Sequence, residues 1–197
     1  IKNKKSKRLF IYTDSRGYEI SSILTRRSYR KSFINDLIKS YCCDVYICPE
    51  KHTTFFDFYE EYSNSHKNYD YVICLIGVVD FSPRPISQIK PLLKVKEQKM
   101  TNFIESKISI DGFESSHETI YLQEKTASLM GLKHADLIIK SLKSIDNLIW
   151  ITCNPIDTSW RGNYFRDRPE NINYVNEVSQ SIVSKSQIED FEIIDHS

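Results

Sequence analysis

The chain has 197 residues, 40% of them hydrophobic and 27% charged, with 5 Gly and 6 Pro. That balance excludes a disordered, collagenous or low-complexity chain, and the length suits one well-buried domain over 1–197. Lys and Arg number 27 against 26 Asp and Glu, a formal net charge of +1, so no overall charge argues for nucleic acid and any anion binding must be local.

Basic residues gather at Lys2, Lys4, Lys5, Lys7 and Arg8 and again at Arg26, Arg27, Arg30 and Lys31; the two groups read as a solvated tail and a solvated helix face, with phosphate or an anionic membrane surface as the alternative partner. The longest apolar runs, 71–79 and 148–152, fall far short of the roughly 20 residues of a membrane-spanning helix. The first residue is Ile1 and no signal-peptide core comes after it, which points to a piece of a longer protein with neighbouring domains. Cys42, Cys43, Cys48, Cys74 and Cys153 show neither a C-x-x-C pair nor zinc spacing, so no metal or other cofactor is expected. Reduced thiols suit a cytoplasmic setting.

Residues 9–12 (LFIY) are a short apolar run ending at TDSRG, the pattern of a buried strand feeding a turn. Ile20, Ile23, Leu24, Phe33, Leu37 and Ile38 recur at roughly helical spacing and predict one or two helices within 18–40. Residues 44–49 (DVYICP) predict a second strand, with a helix behind it over 55–62. Residues 71–76 (YVICLI) are apolar without alternation, as in a central parallel strand covered on both faces. From 82 to 125 the pattern is irregular, with Pro83, Pro85 and Pro91, a short helix at 87–93 and a polar passage at 111–118; it reads as an insertion or cap. A helix over 129–142, a strand over 148–152, a helix over 170–184 and a strand over 191–194 complete the chain.

Strand and helix take turns throughout, which predicts an α/β fold: a three-layer α/β/α, flavodoxin-like sandwich on a mostly parallel five-stranded sheet. Open sheets of this kind place their sites at the carboxyl ends of the strands. That rule selects Asp14 and Ser15, then Gly77 and Asp80, then Asn154, and finally Asp195 and His196.

Ser15 comes directly after the first strand, where a helix start aims N–H groups and partial positive charge at the turn. The turn favours a nucleophile or an anion, although Asp14 or Ser15 equally suits a plain helix cap. Gly77 leaves the third strand and lets backbone approach a ligand closely; it also suits a tight strand exit, with Asp80 capping the segment behind it. The loop after the fourth strand carries Trp160, Arg161, Tyr164, Arg166 and Arg168. Its aromatic faces suit sugars and its guanidinium forks suit carboxylates or phosphates, while docking of the loop through Trp160 and Tyr164 stands as the plain alternative. There is no P-loop, no G-x-G-x-x-G and no metal-ligand spacing.

Taken together, Thr13-Asp14-Ser15 and Gly77-Val78-Val79-Asp80 resemble the G-D-S and G-x-N-D blocks of the SGNH (GDSL) hydrolase and acyltransferase superfamily, a resemblance that covers most of the chain. It implies Ser15 as nucleophile, with its own N–H in the oxyanion hole, and an acyl-enzyme transferred to water or a sugar hydroxyl. Val79 stands where the family places its Asn donor. Losing one oxyanion donor typically costs about 2.7–4 kcal/mol, and Arg16 or Arg84 is the candidate to compensate by meeting an anionic intermediate or an acidic substrate. The family's general base lies in a D-x-x-H segment after the fifth strand, whereas this chain ends Asp195-His196-Ser197. Three outcomes stay open: His196 in a variant geometry, a base beyond Ser197, or a dead site. His52, His66, His117 and His134 read as surface residues.

The form G-V-V-D-x-S-P-R is also similar to SGNH-like proteins associated with bacterial polysaccharide biosynthesis, which implies a glycan or capsule-type precursor as substrate. The rival expectation is a catalytically inactive domain that holds an anionic glycan or a partner with the Ser15 turn and the Arg-rich loop. A flavodoxin-like nucleotide or phosphate binder is the third.

Overall fold

The structure, a computed structural model, describes residues 7–18, 30–104, 119–159, 167–186 and 192–194. Strand β1 (Arg8–Thr13) runs into a 3-10 turn (Ser15–Gly17), and α1 (Phe33–Ser40) precedes β2 (Cys42–Ile47). Next come α2 (Phe55–Asn64), β3 (Tyr71–Leu75) and the single-turn α3 (Val78–Phe81). Beyond them lie β4 (Arg84–Pro85), α4 (Ile86–Ile104), β5 (Ile120–Tyr121) and β6 (Glu124–Ala127). The chain then forms α5 (Ala135–Lys143), β7 (Leu148–Ile151), α6 (Tyr174–Lys185) and β8 (Glu192–Ile194).

The main sheet runs β2-β1-β3-β7-β8 with every pairing parallel. β2, β1, β3 and β7 form its body, and the three-residue β8 adds to the β7 edge. The unbroken apolar runs of β1 and β3 split between two cores. Phe10, Tyr12, Val72, Cys74 and Trp150 face α2, α4, α5 and α6 through Phe55, Phe58, Phe103, Ile138 and Val178. Leu9, Ile11, Ile73, Leu75 and Ile151 face Ile34, Leu37 and Ile38 of α1. Helices therefore cover both faces, and strands buried on both sides need no alternation in sequence.

The stretch read as an insertion or cap departs from that expectation. In place of a short helix at 87–93, α4 continues for 19 residues through Pro91. A proline inside a helix removes one backbone hydrogen bond, but Ile89, Leu92, Leu93, Met100 and Phe103 all bury in the larger core. Lys96 of α4 also pairs with Asp57 of α2 at 2.6 Å, so tertiary contacts carry the helix past its breaker. A small antiparallel sheet, β4-β6-β5, was not legible in the sequence because its strands have two to four residues. The polar passage 111–118 lies outside the described residues.

Other boundaries shift for local reasons. The helix expected over 129–142 starts as helix only at Ala135, after a 3-10 turn (Leu132–His134) in which Gly131 N–H donates to His134 Nδ1 at 3.0 Å. The helix expected over 170–184 is α6, entered through a turn at 170–173. Of the helices expected within 18–40, α1 is described and 19–29 lie outside the described residues. Among the described residues no helix is long and apolar enough to cross a membrane, and all five cysteines are free.

Candidate active site at the carboxyl edge of the sheet

In the order β2-β1-β3, the chain leaves β1 toward one neighbour and returns to the other, so the crevice beside β1 is the topological switch point where such sheets bind ligands. Backbone and side-chain bonds stitch the strand exits together there. Asp14 N–H donates to Leu75 O at 2.9 Å and Cys48 N–H donates to Thr13 O at 2.7 Å. Arg16 Nη1 donates to Thr152 O, at the exit of β7, at 2.8 Å.

The turn itself is clamped. Asp14, 4% exposed, caps the 3-10 turn by accepting from Arg16 N–H at 3.0 Å. Its carboxylate also accepts from Arg16 Nε at 3.0 and 3.2 Å and from Nη2 at 2.9 Å. Burial alone would lower the Arg16 guanidinium, but Asp14 and Cys153 beside it raise it above its ordinary value. Arg16 is thus committed to holding the turn. Gly17 closes it, since a Cβ there would lie 2.0 Å from Thr13 Oγ1.

Ser15 stands exposed on this clamped turn. Among the described residues neither its Oγ nor its N–H makes a hydrogen bond. Gly77, at the exit of neighbouring β3, has φ of 120°, and a Cβ would meet Phe81 Cε2 at 2.9 Å and Cys153 Sγ at 3.0 Å. Its N–H is likewise uncommitted among the described residues. Asn154 is exposed on the loop after β7, at the same edge, and Val79 is half-buried in α3. Trp160, Arg161, Asp195 and His196 lie outside the described residues.

Asp80 turns inward. It is fully buried; Oδ1 accepts from Phe55 N–H, at the start of α2, at 3.0 Å, and Oδ2 has no partner among the described residues. Burial pushes its carboxyl up to about 8; the Phe55 N–H pulls against this and the charge on Asp57 adds to it. Ser82 Oγ donates to Val78 O and Ser128 Oγ to Phe81 O at 2.8 Å, so the segment leading to Arg84 is pinned.

Two of the histidines sort differently from expectation. His66 is exposed, and His117 lies outside the described residues. His134 is a correction: it is 6% exposed, its Nδ1 accepts from Gly131, and burial lowers it to about 4, which makes it a turn lock. His52 is also half-buried, on the β2–α2 connection, where burial and then Arg84, Lys51 and Lys96 lower its basicity. Sequence reasoning placed His52 on the surface because nothing local shows which way a residue two before a helix cap will turn. Among the described residues no histidine or carboxylate bonds to Ser15 Oγ, and no group of three or more His, Cys, Asp and Glu could hold a metal ion.

No protein-family model and no curated relative matches the chain. Among solved structures it is similar to a lipase/acylhydrolase from Enterococcus faecalis, with 14% identity and a TM-score of 0.47 over 96% of this chain and 75% of that one. At that score and identity the likeness carries no argument, and the site stands on its own residues.

Proposed function

We propose that the chain is a serine-dependent ester hydrolase or O-acyltransferase of SGNH type, acting on a glycan or polysaccharide precursor through an acyl-enzyme on Ser15. The observation that supports this is an exposed, unbonded hydroxyl on a turn clamped by Asp14 and Arg16 at the switch point of the sheet. Ser15 Oγ attacks the ester carbonyl and gives up its proton to a base, for which His196 is the candidate. The N–H groups of Ser15 and Gly77 meet the developing oxyanion. The alcohol departs with that proton, and water or a sugar hydroxyl takes the acyl group from Ser15. With Val79 in place of a side-chain donor, the hole depends on backbone.

One observation favours a second reading, an inactive glycan-binding domain: among the described residues no base bonds to Ser15, and Asp14 is occupied by Arg16. A fluorophosphonate probe separates the two. The hydrolase reading expects labelling of the wild type, none in Ser15→Ala and at least tenfold slower labelling in His196→Ala. An unlabelled wild type would leave the binding reading.

A further inference from the structure

Arg84 is the site's unexplained charge. It lies in β4, beyond the α3 turn at the exit of β3, its side chain is half-buried, and its Nε is buried without a partner among the described residues. Among those residues its guanidinium makes no hydrogen bond and no ion pair, and Asp80 bears on it only through space. A planar fork taken out of water is retained when something planar and anionic completes it. The carboxylates in the neighbourhood do not serve: Asp57 is held by Lys96 and Lys99 at 2.6 and 3.0 Å, and Glu50 lies 3.5 Å from Lys99. Asp80, four residues earlier, acts on Arg84 as a nearby negative group but forms no hydrogen bond or ion pair with it, and burial pushes its own carboxyl up to about 8.

His52 belongs to the same place. It lies on the connection leaving β2, and Arg84 lies on the segment leaving β3, so the two come from the strands on either side of β1 and Ser15. The bond from Phe55 N–H to Asp80 Oδ1 ties these two segments together at 3.0 Å. Arg84, Lys51 and Lys96 all bear on His52 as like charges, and of these Arg84 and Lys51 have no acid paired with them among the described residues. Among the described residues, the cations on these two segments that lack an ion pair are therefore partly desolvated.

We propose that Arg84 and His52, with Lys51 at the rim, form an oxyanion-binding subsite that takes a carboxylate or phosphate group of the molecule on which Ser15 acts. The assignment rests on the reading of Ser15 given above and narrows its substrate to an acidic one. Arg84 supplies a forked pair of N–H donors, and His52 would add a third donor. A neutral sugar would leave the guanidinium unpaired.

The test is isothermal titration of the Ser15→Ala chain with inorganic phosphate, with glucuronate and with glucose. Saturable heat is expected with phosphate or glucuronate and not with glucose, and the two anions distinguish a phosphorylated from a carboxylated substrate. Arg84→Gln should weaken binding at least tenfold and His52→Ala severalfold. His52 is half-buried and makes no hydrogen bond among the described residues, so His52→Ala carries the test should Arg84→Gln fail to fold. Saturation by neither anion, or equal affinity in the variants, overturns the subsite. A lowered urea midpoint for Arg84→Gln with unchanged affinity does so as well, because Arg84 would then serve packing alone. The two readings fail separately: loss of probe labelling removes the hydrolase while leaving the titration intact, and loss of saturable anion binding leaves Ser15 labelled.

Discussion

Gly77 and Asp80 show how two positions of one short motif serve different ends. With φ at 120° and Phe81 and Cys153 against its missing Cβ, Gly77→Ala combines backbone strain with a steric clash and should destabilise the fold by about 2 kcal/mol or more, read as a lower urea midpoint. Asp80 makes a pH prediction. Its folded pKa of about 8 lies above the unfolded value of about 3.9, so between them the folded chain keeps a proton that the unfolded chain has released. Stability from this group falls as pH rises through that window and levels off above about 8. Asp80→Asn removes the effect, so its stability relative to wild type should rise from about pH 5 to about pH 8, by at most about 1.4 kcal/mol per pH unit. Parallel urea titrations would show it, and a constant difference would mean that Asp80 stays ionised.

Among the elements, α2 and α4 are joined by charge as well as by aromatic packing. Thr54 and Asp57 form a capping box at the start of α2, and the same Asp57 receives Lys96, 4% exposed, and the more accessible Lys99. Removing the buried partner leaves a carboxylate short of its main counter-charge, so Lys96→Met should cost about 3 kcal/mol, while Lys99→Met should cost about 1 kcal/mol or less. Urea unfolding of both variants checks the ranking. This pairing also explains why α4 outran its expected length: local propensity at Pro91 predicts an early stop, and contacts 39 residues away in sequence override it. The ends of β2 illustrate the same limit. Its start at Cys42 is set by pairing with Arg8, and its end by Cys48, whose φ of 49° turns the chain out of the ladder.

For the whole molecule, the two cores predict which thiols are reachable. Cys74 and Cys153 are buried, and burial raises both thiols, Cys153 to about 11; Cys42 is exposed, and Cys43 and Cys48 are intermediate. An aromatic disulfide reagent should modify Cys42 fastest in the native protein and reach Cys74 and Cys153 only as the chain unfolds, with all five reacting in urea. Fast reaction of all five under native conditions would contradict the packing of β3 against β1 and β7.

The sequence by itself determined the alternation of strand and helix, the burial of β1, the central place of β3, and the position of Ser15 at a strand exit. These come from hydrophobic period and turn residues, which report burial locally along the chain. The partners of the charged groups were decided only in three dimensions. Arg16 looked free to meet an anion, yet it reaches a carbonyl 136 residues away and closes on Asp14; Arg84, with the same local credentials, forms no ion pair among the described residues and lies across the strand order from His52. Periodicity fixes which way a side chain points from its own strand, but pairing between segments depends on how the crossovers stack them, and that information belongs to the fold.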